Sequence, residues 1–594
     1  MNQKSLFLIA LTLFLFACQS EDIQSQVEAC AEVSPLDTAA LTGEKDPIAQ
    51  MQAQAGCGTV NLWGASFPKT LNYWTDPNSF SAQIMGLMFE PLLSLHSTED
   101  RPVGILAESW ESNDANDEFT FKIDSRARWS DGQPVSAYDV QFYYDVIMKP
   151  EHLTPIFKTE LQRFDRPEVL DSLTVRIKAK KPHWNNFWAA AGMMAFPQHA
   201  WDSLDFNQVR FEFPVVSGPY AQGELAKNRY LDLVRRDDWW GRSKAWNLGK
   251  YNFQKLRYKF MEDRTKALEA LKKGDFDIYA IYTSSIWMRQ TDFPAVQNNW
   301  VLKQKVYNRE PIGFQGFSIN MRRPKFQDVR VRQALSMLLD REVMNEKYMY
   351  NQYFLLNSYY PDLFTDNISP HNPTYSYQPD SARALLAAAG YEPNAQGMLH
   401  KNGDPLQITF ITQTVDLRHF TKYVEDLRAV GIDARIEQMS WPSLVQRMEE
   451  FDYDLYWVNW GAGRLRDPEF QWSSAGANTN GSNNYAGVND AVVDSLIELQ
   501  KLETDLERRT EILLALDKRL AEIVPYVLLW QADHTRLLYW NRFGTPPYIL
   551  DKFGREESAV TYWWYDTAKA QALRAAQKSG GKLEAVPFEV NWED

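Results

Sequence analysis

The sequence is poor in cysteine and lacks the motifs by which the common classes of enzyme are recognised. Only three of its 594 residues are cysteine, which excludes a thiolate metal cage, and its eight histidines show no metal-ligand spacing. It has no His-Glu-x-x-His pair, no Gly-x-Ser-x-Gly elbow and no glycine-rich phosphate loop. These absences argue against an enzyme, and we expect neither a cofactor nor a metal. A surface glycosidase that works through two carboxylates is the enzymatic alternative.

The chain also has no run of basic residues, and its formal net charge is −14. An acidic protein repels the phosphate backbone, so nucleic acid is not an expected partner. Charged residues make up 24% and hydrophobic residues 44% of the chain, which is a globular composition. Its length predicts about three or four domain-sized units.

Apolar runs of membrane-spanning length are absent as well. Residues 6–16 are apolar but fall well short of the roughly 20 residues that a spanning helix needs, and they follow a single positive charge at Lys4. They lead into Leu15-Phe16-Ala17-Cys18, which resembles a bacterial lipobox. We expect a signal peptide at 1–17, a lipidated Cys18 and a flexible tether over 18–57. An ordinary signal peptide with an incidental cysteine is the alternative.

Two further cysteines, Cys30 and Cys57, stand beside this tether. An exported protein meets an oxidising compartment, so we predict a disulfide between them that fixes the entry of the chain into the first domain rather than its core. Two free thiols are the alternative.

From residue 58 onward the hydrophobic pattern is that of an α/β protein. A strand is predicted at 59–63, and Ser136 and Asp139 predict the start of a helix by their spacing. Residues 407–460 alternate strand, helix, strand, helix and strand, which predicts a parallel sheet with helices on its faces. The stretch after Lys569 is rich in alanine and lysine and is predicted to fray at its end.

Five segments resemble the extracellular solute-binding proteins of family 5, whose members bind oligopeptides, dipeptides, nickel complexes or oligosaccharides. The longest comprises LAESWE at 106–111, FTFKI at 119–123 and ARWSDGQPVSAYDV at 127–140. The others are SGPY at 217–220, FSIN with PKFQDVRVRQAL at 317–335, LLAAAGY at 385–391 and the run that ends in FDYD at 451–454. Together they extend the resemblance over nearly everything between residues 60 and 560.

This resemblance implies an α/β, two-lobed periplasmic-binding-protein fold (class II, cluster C type) with an extra subdomain in the first lobe. The first lobe is expected at 58–312 and 527–594, with its subdomain at 90–205, and the second lobe at 313–526. Ligand is expected in the cleft between the lobes, which close on it.

In peptide-binding relatives, a loop after the strand expected here at 453–460 supplies a carboxylate for the amino terminus of the peptide. This loop reads NWGAGRLRDP at 459–468, with Gly463 in place of that carboxylate, so Asp467 is the candidate to replace it. Arg464 and Arg466 match a carboxylate or phosphate in a bidentate geometry and favour an acidic ligand. Pairing of these arginines with nearby acids in a solvated loop is the alternative.

Further candidates are side chains at strand ends or near the crossings between lobes, where a side chain can face a cleft. Packing in a hydrophobic core is the alternative for each. The candidate ligand contacts are Ser66, Phe67, Asn72, Tyr73, Phe314, Asn320, Trp441, Asn459, Trp460 and Trp530.

The run PYVLLWQADH at 525–534, with YWNRF at 539–543, resembles the branch of the family that handles microcin C and murein peptides. The resemblance implies the substrate-binding subunit of an ABC importer. This subunit is expected to be a monomer that passes oligopeptides, including murein-derived or acidic peptides, to a membrane permease with separate ATPase subunits. A receptor for an oligosaccharide or a chelated metal is the alternative. The expected location is the periplasm, lipid-anchored to the inner leaflet of the outer membrane.

Overall fold

The computed structural model describes residues 25–30, 41, 43–50, 56–213, 215–414 and 417–593. They divide into two compact units, unit 1 within Met1–Glu310 and His534–Asp594 and unit 2 within Pro311–Asp533. The boundaries expected at 312/313 and 526/527 therefore move to 310/311 and 533/534. The second shift has a clear cause, because the strand Tyr526–Leu528 pairs with Gln315–Ile319 inside the sheet of unit 2.

Unit 1 is built on an eight-stranded mixed sheet whose strands come from both ends of the chain. Thr59–Trp63 lies near its centre, parallel to Lys255–Lys259 on one side and to Ile278–Ala280 on the other. In spatial order the strands are Glu589–Asn591, Val301–Tyr307, Thr535–Trp540, Ile278–Ala280, Thr59–Trp63, Lys255–Lys259, Tyr230–Arg235 and Tyr220–Ala226.

A separate four-stranded antiparallel sheet lies within the stretch 90–205 that was expected to form a subdomain. Its strands, in spatial order, are Ala107–Ser112, Glu118–Ile123, Thr174–Lys178 and Glu168–Asp171. Two further antiparallel strand pairs lie in the described part of unit 1, namely Leu93–Leu95 with Pro102–Gly104 and Phe543–Gly544 with Trp564–Tyr565. The α-helices of unit 1 are Ser79–Met88, Ala137–Met148, Pro155–Leu161, Asn186–Ala191, Gln198–Trp201, Arg264–Lys273, Ser284–Arg289, Pro294–Gln297, Ala559–Tyr562 and Thr567–Ser579.

Unit 2 contains the parallel β-α-β-α-β segment that its sequence predicts. Its five-stranded sheet runs Asp433–Gln438, Gln407–Thr412, Leu455–Asn459, Gln315–Ile319 and Tyr526–Leu528, and the first three strands are parallel. Smaller sheets pair Phe354–Leu355 with Trp530–Gln531, and Glu392–Pro393 with Leu399–Lys401 and Asp404–Pro405. The α-helices are Val329–Met337, Arg341–Lys347, Pro379–Ala388, Arg418–Ala429, Trp441–Glu449, Glu469–Trp472, Ala491–Leu502 and Leu506–Ile523.

Local capping signals place several of these helices where the sequence predicts them. The helix Ala137–Met148 begins after Ser136, and the Asp139 carboxylate accepts the Ser136 amide at 2.8 Å in a capping box. Asp263 caps Arg264–Lys273 through the amides of the next turn. These hydrogen bonds satisfy amides that have no partner inside the helix, so a few adjacent residues are enough to predict them.

The expectation of a flexible tether over 18–57 is wrong for residues 43–50. Ile48 is buried in unit 1, and the Asp46 carboxylate lies 2.6 Å from the Lys250 ammonium. The polar composition of this stretch indicated a solvated chain, but its acidic side chains have fixed partners on unit 1. Cys18 and the signal peptide lie outside the described residues.

Cys30 and Cys57 form a disulfide in the structure, with Cα atoms 4.9 Å apart and 27 residues of sequence separation. Both cysteines are fully buried in the core of unit 1 rather than at its edge. The chain-entropy model gives a loop of this length a stabilisation of about 3–4 kcal/mol. We expect a Cys30→Ala/Cys57→Ala variant to lose about that much free energy of unfolding in urea denaturation. A stability equal to wild type would contradict the prediction.

The carboxyl-terminal stretch is ordered rather than frayed. Asp566 caps the helix Thr567–Ser579, and Gly580 ends it in the left-handed region at φ 69°. Glu589–Asn591 then pairs in parallel with Val301–Tyr307 as an edge strand. A strand of three residues shows too little hydrophobic periodicity to be predicted from the sequence without knowledge of its partner strand.

Candidate functional site

A cavity of about 560 Å³ lies in unit 1 at one edge of the eight-stranded sheet. The strands Thr59–Trp63 and Ile278–Ala280 are parallel, so their carboxyl ends meet at this edge, and residues from both line the cavity. Ligands of α/β proteins bind outside the carboxyl ends of such strands, and small-molecule sites have volumes of about 300–1,000 Å³. Position and size make this cavity the candidate ligand site.

The turn after the first strand, at Gly64 and Ala65, lines part of the cavity. The Gly64 amide donates to the Lys259 carbonyl at 2.8 Å, and Ala65 has a φ of 53° in the left-handed region. A Cβ at Gly64 would lie 2.9 Å from the Phe260 ring, so only glycine allows this close approach. The Met261 amide then donates to the Ala65 carbonyl and fixes the turn.

One wall of the cavity is aromatic. The Trp63 and Tyr279 rings meet edge to face with centroids 5.3 Å apart, and the Trp63 indole donates to the Met261 carbonyl at 2.6 Å. The Arg264 guanidinium carbon lies 5.5 Å from the Trp63 ring and 5.4 Å from the Tyr282 ring. Tyr282 is 41% exposed, so this wall presents an apolar face together with accessible polar groups.

Residues 555–557, beside Tyr282, add charges of both signs to the cavity lining. Arg555 forms an ion pair with Glu310, and the Tyr282 hydroxyl donates to Glu556 Oε1 at 2.6 Å. Glu556 Oε2 is buried and accepts no hydrogen bond from any residue that the structure describes. Glu557 also lines the cavity, so a carboxylate oxygen and a guanidinium are both available to a ligand.

Burial raises the pKa of two carboxyl groups beside the cavity. It raises the pKa of the Glu310 carboxyl to about 7, although the charge of Arg555 opposes the shift. Burial also raises the pKa of Glu556, and the neighbouring charge of Glu557 adds to the rise. Perturbed carboxyl groups beside a cavity are typical of functional sites. Sequence reasoning missed Tyr279, Tyr282 and residues 555–557, since nothing in the linear pattern joins segments this far apart.

The four candidates after the first strand do not line this cavity. Ser66 is exposed, and the Phe67 ring stacks on Phe211 with centroids 5.4 Å apart. Asn72 is fully buried and donates to the Phe206 carbonyl, and the Tyr73 ring packs against Phe157 at 5.3 Å. The chain turns away after Ala65, so the strand ends and the helix Ser79–Met88 supply the lining instead.

In unit 2, five of the predicted contacts lie at the end of the strand Leu455–Asn459 and in the loop that follows it. Asn459 is exposed and accepts a hydrogen bond from the Gln531 amide at 3.0 Å. Trp460 stacks on Tyr485 with centroids 5.3 Å apart and donates to the Tyr526 hydroxyl. These two side chains therefore have partners within unit 2.

The charged residues of the same loop are half-buried. Arg466 forms an ion pair with Asp362, and its carbonyl accepts a hydrogen bond from Gln500 at 3.0 Å. The Asp467 carboxylate accepts the Glu469 amide at 3.0 Å. An internal acid thus holds Arg466, as the solvated-loop alternative proposed, although that acid is Asp362 rather than Asp467. Arg464 is the other half-buried cation of the loop.

Three further candidates are buried in unit 2, where each contacts other residues of that unit. Phe314 is 2% exposed and stacks on Trp472 at 5.8 Å. Asn320 is buried and donates to the carbonyls of residues 451 and 453, so its amide fixes a turn. Trp530 is buried in the core beside the five-stranded sheet. Trp441 is 53% exposed at the start of its helix.

Within the described part of the chain, no helix combines the length and hydrophobicity needed to cross a membrane. Most of the residues that line the cavity lie on strand ends, on the helix Ser79–Met88 and on the turn and helix at 556–562. Rigid elements hold binding groups more precisely than long loops do.

Comparisons with known proteins agree with this architecture. Residues 101–482 match the sequence profile described as bacterial extracellular solute-binding proteins, family 5 Middle. The chain is 26% identical over 510 residues to a probable peptide-binding protein YejA of Agrobacterium fabrum, covering 78% of this chain and 82% of that protein. It is 27% identical over 457 residues to the peptidoglycan-binding protein YepA of the same organism, covering 69% of this chain and 74% of that protein.

Among solved structures, the oligopeptide-binding protein AppA of Bacillus subtilis, determined in complex with a nonapeptide, has the same fold. The TM-score is 0.69 at 20% identity, with 86% of this chain and 100% of that chain covered. The likeness confirms the predicted two-lobed α/β fold of periplasmic binding proteins. The profile covers well over half of the sequence, and this chain belongs to the bacterial extracellular solute-binding proteins of family 5, a family of binding proteins.

Proposed function

We propose that this chain is the substrate-binding subunit of an ABC importer that captures oligopeptides and passes them to a membrane permease with separate ATPase subunits. The observation that carries the proposal is the unit 1 cavity, which combines aromatic rings with charges of both signs. A free peptide is a zwitterion, so it needs an acceptor for its ammonium and a donor for its carboxylate.

The charged groups of the cavity meet both needs. Glu556 Oε2 lacks a hydrogen-bond partner among the described residues and suits an ammonium donor. The Arg555 guanidinium lines the cavity and is exposed beside its partner Glu310, so it suits a carboxylate, because the planar fork matches its two oxygens. A neutral sugar would leave the buried Glu556 Oε2 without a cationic partner, which costs free energy. The charge pattern therefore favours a peptide over an oligosaccharide.

The names of related proteins indicate which class of peptide this chain binds. One relative is named as a probable peptide-binding protein, another as a peptidoglycan-binding protein, and the solved neighbour holds a nonapeptide. These names support murein-derived or other acidic peptides as ligands. Arg466 contributes less to this proposal than the sequence indicates, because Asp362 neutralises it.

Lipid anchoring in the periplasm is part of the same proposal and rests on the lipobox-like run that ends at Cys18. We expect mass spectrometry of the amino-terminal peptide from cells to show a diacylated Cys18 and no residue before it. An unmodified cysteine, or cleavage at another bond, would contradict the anchor and leave the binding function untouched.

Replacing Trp63 by alanine is expected to weaken peptide binding about tenfold, because a large aromatic contact in the cavity is lost. The probe is the murein tripeptide L-Ala-γ-D-Glu-meso-diaminopimelate, measured by isothermal titration calorimetry on residues 19–594. Trp188→Ala is the matched control, since Trp188 is also half-buried and does not line the cavity.

Native mass spectrometry of the protein purified from cells identifies the class of ligand without choosing a probe. Released peptides that contain D-Glu or diaminopimelate would support the proposal. Release of a sugar or a metal chelate would overturn the peptide assignment. An affinity that Trp63→Ala leaves unchanged would remove the cavity from the proposed site.

A further inference from the structure

The amino-terminal segment at residues 43–50, named here the N-terminal segment, is tied to unit 1 by one fully buried carboxylate. Asp46 Oδ2 lies 2.6 Å from Lys250 Nζ and accepts the Tyr562 hydroxyl at 3.0 Å. Asp46 Oδ1 accepts the Ser97 hydroxyl and the Ile48 amide, each at 2.9 Å. These four contacts fix the position of the Asp46 carboxylate. Losing one of them would leave a buried charge with too few partners, which costs free energy.

The N-terminal segment has further supports on the same unit. Glu44 forms an ion pair with Arg101. The Gln50 carbonyl lies against Gly249, where a Cβ would approach it to 2.6 Å and where φ is 79°. A glycine at this position therefore makes room for the backbone of the segment.

Asp46 contacts one end of a short, continuous element whose other end lines the ligand cavity. Tyr562 is the last residue of the helix Ala559–Tyr562, which follows directly on the 3₁₀ turn Glu556–Ser558. Glu556, Glu557 and Val560 of this element line the cavity. The Tyr251 amide donates to the Thr561 carbonyl at 2.8 Å, so residues next to Lys250 hold the same end of the helix.

We propose that the N-terminal segment positions the cavity wall at residues 556–562, and that Asp46 is a positioning residue for ligand binding. The Asp46 carboxylate fixes Tyr562 and Lys250 at one end of this wall, and Glu556 and Glu557 meet the ligand at the other. The inference rests on the proposed function, because it concerns the same cavity. It assigns a binding role to a stretch whose composition is that of a tether.

The test compares Asp46→Asn and Tyr562→Phe with wild type. Asp46→Asn is expected to raise the Kd of the murein tripeptide at least about fivefold, and Tyr562→Phe about threefold. Changes of this size are typical when residues of one hydrogen-bonded network are energetically coupled. Without ligand, hydrogen–deuterium exchange at residues 556–563 is expected to be faster in both variants. Tyr562→Phe removes a single hydroxyl, so it reports on positioning even where Asp46→Asn folds poorly.

A stability control separates positioning from general destabilisation. Val175→Ala truncates a buried side chain in the separate four-stranded sheet of unit 1. It is expected to lower the melting temperature and leave the Kd and the exchange at 556–563 unchanged.

Unchanged exchange at residues 556–563 in both the Asp46→Asn and Tyr562→Phe variants would overturn the inference, whatever ligand binds. If Trp63→Ala weakens binding and these two variants do not, the positioning role fails alone and the cavity remains the proposed site. If none of the three variants alters the Kd, the cavity assignment fails as well.

Discussion

Replacing Arg542 by methionine is expected to lower the free energy of unfolding of unit 1 by about 3–5 kcal/mol. Arg542 forms an ion pair with Asp277, whose side chain has no exposed surface. Asp277 also accepts the backbone and side-chain amides of Asn61 at 2.6 and 2.9 Å. Without the guanidinium, a carboxylate would remain buried between central strands of the eight-stranded sheet.

Two controls test whether the uncompensated charge causes this loss. The Asp277→Asn/Arg542→Met variant removes both charges and is expected to be more stable than Arg542→Met, since no lone charge stays buried. Arg383→Ala breaks the exposed pair with Asp380 and is expected to cost less than about 1 kcal/mol. Guanidinium denaturation followed by hydrogen exchange in the strand Ile278–Ala280 measures the effect. A double variant no more stable than Arg542→Met would contradict the electrostatic cause.

Replacing Phe314 by alanine is expected to lower the free energy of unfolding of unit 2 by about 3–5 kcal/mol. Phe314 is almost fully buried and contacts the Tyr359 ring edge to face at 5.0 Å and the Tyr526 ring at 5.2 Å. Truncation would remove these contacts and leave a cavity that close-packed aromatic neighbours cannot fill.

Trp441→Ala is the control for this prediction, because Trp441 is also a candidate from the sequence and is half exposed. Its removal is expected to change stability by no more than about 0.5 kcal/mol. Thermal unfolding followed by hydrogen exchange in Gln315–Ile319 gives the comparison. A stable Phe314→Ala variant with weakened ligand binding would restore the ligand contact that the sequence indicated and contradict the packing role.

The residues that line the cavity were not predictable from the sequence. The sequence indicated contacts after the first strand, whereas Trp63, Gly64 and Ala65 at the end of that strand line the cavity. The predicted contacts Ser66, Phe67, Asn72 and Tyr73 are next in sequence but do not line the cavity. Its charged wall comes from residues 555–557, which only the pairing of strands across the whole unit brings to the same edge.

The same division holds for Arg466 and Asp46. The sequence predicted cations in the loop 459–468 and a tether over 18–57, but neither prediction identified the partners of Arg466 or Asp46. What each one contacts depends on chain segments distant in sequence, since Arg466 meets Asp362 and Asp46 meets Lys250 and Tyr562. Burial of a charge is set by those partners, so composition alone misjudged both residues.

By itself, the sequence determined the α/β class, the parallel sheet at 407–460, the capped helices and the family motifs. These features arise from periodicity and from hydrogen bonds between neighbouring residues, which are local. Only the tertiary structure decided the sheet order, the edge strand Glu589–Asn591, the buried place of residues 43–50 and the lining of the cavity. Those depend on contacts between distant segments, whose free energy appears only when the whole core closes.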